Sequence, residues 1–294
     1  MDIFGIPLQA FLGQLLLGLV NGAFYAMLSL GLAVIFGLLG IVNFAHGALY
    51  MLGAFATWIM LDQFGLNYWY ALVLAPLVVG VIGVVIERIF LRHLYKLDPL
   101  YSLLLTFGLS LIAEGVFREM FGVSGQNYSV PELLSGATNL GFMYLPNYRA
   151  WVVLVSLGVC LGTWYLIERT RLGAYLRAGT ENAALVQTFG INVPVMVMLT
   201  YGFGAALAAL AGVLAAPIIQ VNPLMGSNLI IVVFAVVVIG GMGSILGSIL
   251  TGLALGLLEG LTRVFYPEAS NVVVFVIMVI VLMFRPAGLF GKVA

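Results

Sequence analysis

The stretch Gly40-Ile-Val-Asn-Phe-Ala-His-Gly-Ala-Leu-Tyr50 places two polar side chains, Asn43 and His46, between two long apolar runs. His46 is one of only two histidines in the chain, and no Lys or Arg occurs before Arg88. Polar groups at membrane depth cost free energy unless protein or water satisfies them. The stretch therefore predicts a helix interruption that lies inside a membrane protein.

The composition of the whole chain requires a lipid environment. Of its 294 residues, 63% are hydrophobic and only 7% are charged, whereas a soluble domain carries about 25% charged residues. The apolar runs are too long and too uniform for the alternating strands of a membrane β-barrel. The formal net charge is zero, which leaves no electrostatic footprint for nucleic acid. The predicted fold class is all-α, a polytopic transmembrane helical bundle with Gly-interrupted helices.

A membrane span needs roughly 20 apolar residues, and the chain contains nine candidate segments. We expect eight to ten spans, because the first segment is long enough to be broken and residues 228–262 form two short helices or one bent element. No segment is long enough for a separate soluble domain, so residues 1–294 form a single transmembrane domain. The nine candidates are residues 9–36, 47–62, 70–91, 100–117, 150–167, 195–216, 228–242, 245–262 and 272–284.

The basic residues set the predicted orientation, since Lys and Arg accumulate in cytoplasmic loops. Eight of them fall on one face and three on the other, which puts the C-terminus in the cytoplasm and the N-terminus outside. Residues 119–149 then form an irregular outer loop, and residues 168–194 form an inner loop. The inner cations are Arg88, Arg92, Lys96, Arg169, Arg171, Arg177, Arg285 and Lys292, and the outer ones are Arg118, Arg149 and Arg263.

Small residues recur at every fourth position in two of the predicted spans. Such stripes let helix backbones approach closely, since lipid gives helices no hydrophobic reason to associate. Internal packing is the favoured explanation, and a moving interface or a contact with a partner subunit is the alternative. The stripes are Gly204, Ala208, Gly212 and Ala216, and Gly252, Gly256 and Gly260.

The run Gly240-Gly-Met-Gly-Ser-Ile-Leu-Gly247 predicts a second interruption. Its first three glycines weaken a continuous helix by roughly 1 kcal/mol each relative to alanine. Broken helices at membrane depth require surrounding protein or a water-filled cavity, and many transporters place their sites there. We therefore expect both interrupted segments to line or support a substrate pathway, as corresponding parts of two half-repeats. The candidate pathway residues are Asn43, His46, Gly240, Gly241 and Gly243.

A lone histidine within a membrane is more often a structural hydrogen-bonding residue than a ligand. Direct contact between His46 and a solute is therefore the less favoured of its two interpretations.

Two acid–base pairs stand four residues apart, Glu114 with Arg118 and Glu259 with Arg263. On a helix this spacing brings the two side chains together, with the acid in the favourable N-terminal position. Both pairs fall near the predicted outer ends of spans. They are either interfacial ion pairs or parts of an outer gate or docking point.

The inner loop at residues 168–194 contains a short helix signal. Thr180 followed by Glu181 is typical of a helix start, and Gly190 suits a helix end. The helix is either a connector resting on lipid headgroups or an element that inserts into a groove of a cytoplasmic partner. Its length and mixed composition favour the second interpretation.

Several kinds of site have no counterpart in the sequence. There is no G-x-x-x-x-G-K-[ST] phosphate loop, no Cys/His cluster for a metal, and no nucleophile–base pair. The single cysteine, Cys160, lies in an apolar run. We expect no metal, no cofactor and no catalysis, which leaves a transporter subunit, a stand-alone channel or secondary transporter, or a structural membrane subunit.

Motifs along essentially the whole chain resemble the smaller, H-type permease subunits of bacterial branched-chain amino acid ABC importers. Taken in order, these motifs are specific to the permease family and much less specific to the solute. They are Asn21-Gly22, Tyr25-Ala26, Gly40-Ile-Val-Asn-Phe-Ala-His-Gly47, Tyr50-Met51, Gly53, Ile86-Glu-Arg88, Gly173, Arg177-Ala178, Glu181-Asn182, Gly190-Ile-Asn192, Ala211-Gly-Val213, Asn222-Pro223, Gly240-Gly-Met-Gly-Ser244 and Arg285-Pro-Ala-Gly-Leu-Phe-Gly291.

The resemblance implies a subunit of the bacterial inner membrane that works with separate partners. These are a second homologous permease, two cytoplasmic P-loop ATPase subunits and a periplasmic solute-binding protein. The implied solutes are branched-chain or related amino acids, although related permeases carry urea, short amides or aromatic acids on similar scaffolds. The resemblance places the ATPase contact on the inner loop, at Arg171, Gly173, Arg177, Glu181, Asn182 and Gly190.

Overall fold

The computed structural model describes residues 2–3, 6–95 and 97–291, of which eleven α-helices form the greater part. Two of the predicted inner cations, Lys96 and Lys292, lie outside the described residues. The helices are α1 Leu8–Leu39, α2 Ala45–Asp62, α3 Tyr68–Ile89, α4 Pro99–Phe121, α5 Asn147–Arg169, α6 Arg171–Glu181, α7 Ala183–Thr188, α8 Val193–Ala215, α9 Met225–Gly240, α10 Ile245–Phe265 and α11 Val273–Phe284.

Strands are few and short in the described part of the chain. Strand β1 (Asp2–Ile3) pairs with β2 (Ile6–Pro7), and β3 (Ala137–Asn139) forms a hairpin with β4 (Tyr144–Pro146). Short 3₁₀ turns cover Leu91–His93, Glu132–Leu134 and Pro267–Ala269.

The predicted polytopic helical bundle is confirmed. Within the described residues, six helices (α1, α3, α4, α5, α8 and α10) are long and apolar enough to cross a membrane. Helix α2 has 18 residues, and α9 and α11 are shorter apolar helices of 16 and 12 residues. Each of the nine predicted spans falls on one of these helices. Exposed apolar side chains cover much of α3, α4 and α11, as contact with lipid requires.

The structure shows how many helices form in the two segments where the sequence left this number open. The first is not broken, because α1 runs through 32 residues without interruption. Residues 228–262 form two helices, since residues 241–244 leave the helical path. Gly241 and Gly243 have φ values of 100° and 91°, which lie in a region that residues with a side chain rarely adopt.

The predicted interruption at Asn43 lies between α1 and α2. Gly40 ends α1 with φ 67°, and its amide donates to the Phe36 carbonyl at 2.9 Å. In the irregular backbone that follows, the Phe44 amide donates to Thr106 Oγ1 of α4 at 3.1 Å. Ile41 and Asn43 of this irregular segment are buried within the protein, which is where irregular backbone is tolerated at membrane depth.

The stripe on α10 packs directly on the backbone of α1. A Cβ added at Gly256 would lie 2.3 Å from the amide nitrogen of Gly22, and one added at Gly260 would lie 2.5 Å from the Gln14 carbonyl oxygen. Contacts this short leave no room for a side chain on either helix. The stripe therefore serves packing within the chain, which was the favoured explanation.

The stripe on α8 plays the same part at the centre of the bundle. A Cβ at Gly212 would lie 2.1 Å from the Tyr50 carbonyl oxygen of α2, and one at Gly204 would lie 3.1 Å from the Gly31 carbonyl oxygen of α1. Helix α8 also packs along α3. The buried core follows these contacts, because α1, α2 and α8 carry most of its large buried side chains.

The bundle has two chemically different ends. The basic end contains the C-terminal ends of α1, α3, α5 and α9, the helices α6 and α7, and residues 285–291. The hairpin end contains β3 and β4, and an antiparallel bridge there joins Gln126 to Val221. The loop at residues 119–149 is more ordered than the predicted irregular loop, because Gly141 turns the β3–β4 hairpin with its amide donating to Asn139 Oδ1 at 2.8 Å.

Substitution of Gly256 by alanine tests the contact between α1 and α10. We expect Gly256→Ala to lower the free energy of unfolding by about 1–3 kcal/mol, because the new methyl group meets backbone that cannot move aside. The matched control is Gly158→Ala on α5, where an added Cβ meets nothing within 4 Å. Thermal unfolding of the purified protein in detergent provides the measurement. Equal unfolding temperatures for the two variants would contradict the close packing.

Candidate functional site

A cavity of about 540 Å³ opens at the hairpin end between α1, α2, α9, α10 and α11. We call it the hairpin-end cavity. Its apolar walls include Phe24, Val232 and Phe275. Its polar lining consists of Asn21, Tyr25, Tyr50, Asn228, Glu259, Arg263, Ser270 and Asn271.

A fixed charge network forms one wall of the hairpin-end cavity. Glu259 is 5% exposed. Its Oε2 accepts from the Tyr25 hydroxyl at 2.7 Å, and its Oε1 accepts from the Arg263 guanidinium. The predicted pair of Glu259 and Arg263 is confirmed as an ion pair. The side chain of Arg263 remains 38% exposed, so part of its guanidinium faces the cavity or solvent.

The second predicted pair ties two helices together. Glu114 Oε1 accepts from Arg118 at 3.2 Å, and Glu114 Oε2 accepts from the Ser227 hydroxyl of α9 at 2.6 Å. The pair thus fixes α4 against the start of α9. Its contacts are those of a structural ion pair.

Asn43 and His46 lie inside the bundle rather than in the lining of the hairpin-end cavity. Both are 0% exposed. His46 Nε2 donates to the Leu28 carbonyl oxygen of α1 at 2.9 Å, and its ring packs against Gly31. The structure therefore gives His46 a hydrogen bond within the protein, and its role in a pathway stays a prediction.

Several buried polar atoms near the interruption have no hydrogen-bond partner among the described residues. They are both amide atoms of Asn43, Nδ1 of His46 and the hydroxyl oxygen of Tyr201, which lies near the Asn43 amide but outside hydrogen-bonding geometry. Buried groups of this kind are rare, and each calls for a bound water, a second conformation or a functional role. The sequence identified Asn43 and His46 but gave no sign of Tyr201.

The glycine run at the second interruption makes backbone contacts on the basic end. Gly240 packs against the backbone of Gly247, and Gly243 packs against Gly37 of α1. A Cβ at Gly241 would lie 2.3 Å from the amide nitrogen of Gly291. These glycines therefore allow three chain segments to meet, and their role in a solute pathway stays a prediction.

The C-terminal motif at residues 285–291 folds back onto α9. The Leu289 amide donates to the Ile239 carbonyl at 2.8 Å, and the Phe290 amide donates to the Gly240 carbonyl at 3.1 Å. These bonds satisfy carbonyl groups that a helix end leaves unpaired. Two motifs that are far apart in the sequence thus form one junction.

The inner loop contains two helices rather than the single predicted one. Thr180 and Glu181 end α6, so the predicted helix start there is wrong. The real start of α7 is capped by Asn182, whose Oδ1 accepts from the Leu185 amide at 2.9 Å. Asparagine is a stronger helix cap than a threonine followed by an acid. Gly190, with φ 81°, follows the end of α7 as predicted.

We call residues 171–190, which contain α6 and α7, the coupling segment, and two of its predicted residues anchor it to α5. A Cβ at Gly173 would lie 1.6 Å from the Ile167 carbonyl oxygen. Arg177 donates to the same carbonyl at 2.9 Å and lies 3.6 Å from Glu168. The other predicted residues, Arg171, Glu181, Asn182 and Gly190, are exposed.

The coupling segment also presents an apolar outer face that sequence reasoning missed. Gly173, Leu176, Gly179 and Val186 face the bundle and are buried. Leu172, Tyr175, Leu185 and Phe189 point away from it, and Phe189 is 76% exposed. The three-residue spacing of Leu172 and Tyr175 is the signal that predicts such a face.

A second large cavity, of about 570 Å³, lies at the basic end between the coupling segment, the end of α1 and the start of α8. We call it the basic-end cavity. Glu87 lines it and is 3% exposed, and its Oε1 accepts from the Tyr95 hydroxyl at 2.7 Å. Burial, followed by the bond to Glu87, raises the pKa of Tyr95 well above its usual value. The sequence predicted a helix end at Glu87 and not its burial.

The described residues thus form a multi-pass membrane bundle with a cavity at each end and an exposed apolar segment at one end. The chain belongs to the family described as "Branched-chain amino acid transport system / permease component", whose model matches residues 14–282. This membership confirms the resemblance and the predicted permease class.

The curated relatives share nearly the full length of the chain. The high-affinity branched-chain amino acid transport system permease protein BraD of Pseudomonas aeruginosa is 33% identical, over 96% of each chain. The corresponding protein LivH of Escherichia coli K12 is 30% identical, again over 96% of each chain. The permease protein LivM of Salmonella typhimurium is 26% identical over 90% of this chain and 67% of its own.

Replacing the two polar residues at the first interruption should affect stability differently. Asn43→Leu loses no hydrogen bond and removes a buried amide that costs about 1–3 kcal/mol, so its unfolding temperature should stay the same or rise. His46→Phe removes the bond to Leu28 and should lower the free energy of unfolding by about 1 kcal/mol. Thermal unfolding in detergent measures both. An equal loss in the two variants would mean that the Asn43 amide is satisfied after all.

Proposed function

We propose that the chain is the permease subunit of an ATP-driven importer of branched-chain or related amino acids, with the hairpin-end cavity as its part of the pathway. The observation that carries this proposal is the joint presence of Glu259, Tyr25 and Arg263 beside apolar walls, in a chain of the permease family. Arg263 suits the carboxylate of an amino acid, and the oxygens of Glu259 and Tyr25 suit its ammonium group. The walls suit an aliphatic side chain.

The proposed orientation puts the basic end in the cytoplasm of a bacterium and the hairpin end in the periplasm. The described part of the basic end carries six arginines, and positive charge accumulates on the cytoplasmic side of inner-membrane proteins. A periplasmic binding protein would then deliver the solute at the hairpin end. A second homologous permease would complete the pathway, as the similarity to both LivH and LivM supports.

The coupling segment is the proposed contact with two cytoplasmic ATPases, which hydrolyse ATP while this chain does not. Its apolar outer face suits a helix that inserts into a partner's groove. Gly173 and Arg177 fix the segment to α5, Asn182 sets the bend between its helices, and Gly190 ends it. Arg171 and Glu181 offer exposed charges to the partner. Coupling requires that the ATPases bind this segment differently in their two states.

Reconstitution tests the function directly. We expect the complex with its second permease, both ATPases and its binding protein to import labelled leucine into vesicles only with ATP, and more rapidly than labelled urea or benzoate. The purified chain alone should give no flux, because its pathway is incomplete. Preferred uptake of urea or benzoate would assign a different solute to the importer. Flux through the single chain would indicate a channel or secondary transporter instead.

Placing a charge on the outer face of the coupling segment should release the ATPases. Phe189→Glu buries a carboxylate in the proposed groove, so the ATPases should copurify at less than a tenth of the wild-type yield. The matched control is Leu133→Glu, which places the same charge at a 78% exposed position on the hairpin end. Quantification of the subunits after purification through this chain provides the readout. Full copurification with Phe189→Glu would place the contact elsewhere.

A further inference from the structure

The basic-end cavity contains a buried acid that the pathway proposal does not use. Glu87 has one hydrogen bond, from Tyr95, and no ion pair with any described residue. A carboxylate has room for about four hydrogen bonds, and burying an ionised one is costly unless a charge or several donors compensate it. The carboxylate of Glu87 therefore has unused capacity for a positively charged donor.

The same cavity is lined by a cation that has no ion-pair partner among the described residues. Arg92 lines the basic-end cavity, is exposed, and makes no salt bridge within the described part of the chain. The remaining walls combine apolar side chains from α1 and α8, such as Leu39 and Val197, with the polar Thr180 and Gln187. The cavity thus offers an acceptor for a cation, a donor for an anion and apolar surface between them.

We propose that the basic-end cavity binds a zwitterion with a primary ammonium group, held by Glu87 and Tyr95 at the ammonium and by Arg92 at the anion. A volume of about 570 Å³ is within the usual range of about 300–1,000 Å³ for small-molecule sites. A primary ammonium can donate three hydrogen bonds, and the free oxygen of Glu87 and the hydroxyl oxygen of Tyr95 can accept two of them.

The position of the cavity implies that a bound ligand regulates the ATPases. This part of the inference rests on the proposed function. One wall is formed by α1, α3 and α8, and the other by Thr180, Ala183 and Gln187 of the coupling segment. A ligand that contacts both walls stabilises the observed placement of the segment. It favours that state only by its difference in affinity between states. Occupancy therefore slows the cycle of the ATPases.

Two sources supply this chemistry on the basic side, a free amino acid and the headgroup of an aminophospholipid. The test uses the full complex in phosphatidylcholine vesicles, with ATP outside and the binding protein and its leucine inside. ATP hydrolysis is measured with leucine added on the ATP side, or with phosphatidylethanolamine in the bilayer. We expect either addition to slow hydrolysis at least threefold, and N-acetyl-leucine, which lacks the ammonium, to have no effect.

Substitutions in the cavity test whether the inhibition of ATP hydrolysis arises there. Glu87→Gln should remove the inhibition, and Arg92→Ala, a change at an exposed position that does not threaten folding, should raise the half-inhibitory concentration at least tenfold. Glu114→Gln, a matched change of a hydrogen-bonded acid at the hairpin end, should keep it. Inhibition by leucine but not by phosphatidylethanolamine, or the reverse, would identify which of the two sources binds in the cavity.

The two ways to fail are distinguishable. Wild-type hydrolysis that responds to neither addition, or inhibition that survives in both basic-end variants, overturns this inference while uptake of leucine continues. Absence of ATP-driven uptake in the wild-type complex overturns the proposed function itself.

Discussion

The bundle depends on direct contact between the backbones of α1 and α10. Lipid surrounds both helices equally well whether they meet or separate, so close van der Waals contact has to supply the attraction. Gly22, Gly252 and Gly256 provide this contact because each of them places no side chain between the two backbones. Because α1 is also packed against α8 through Gly31 and Gly204, one long helix positions the remaining elements.

Fixing α1 in this way determines where irregular backbone can exist. The chain leaves α1 at Gly40 and returns to the level of Leu28, where His46 bonds, so Ile41 and Asn43 are buried within the protein. On the other side of α1, Gly37 receives Gly243 from the turn between α9 and α10. Both interruptions therefore rest on the same end of α1, and the C-terminal segment closes over the second one. A shift of α1 would be transmitted to each of them.

The sequence predicted those features that follow from local composition. Hydropathy located nine helices, glycine located both interruptions, and the spacing of Glu259 and Arg263 gave a real ion pair, because each signal is contained within one segment. It did not predict the burial of Glu87 or the unpaired Tyr201, since both depend on which helices meet. The start of α7 was misplaced by two residues because Asn182 competes successfully with Thr180 as a cap.

Each end of the bundle contains a buried glutamate that accepts a hydrogen bond from a tyrosine, but the two glutamates differ in whether an arginine neutralises their charge. At the hairpin end, Glu259 accepts from Tyr25 and from Arg263, so its charge is neutralised within the protein. At the basic end, Glu87 accepts from Tyr95, and no described arginine reaches it. The Glu259–Arg263 pair therefore presents charges of both signs to a zwitterion, whereas the Glu87 carboxylate has no cation beside it among the described residues. A small cation that binds Glu87 therefore lies in a cavity that the coupling segment helps to line.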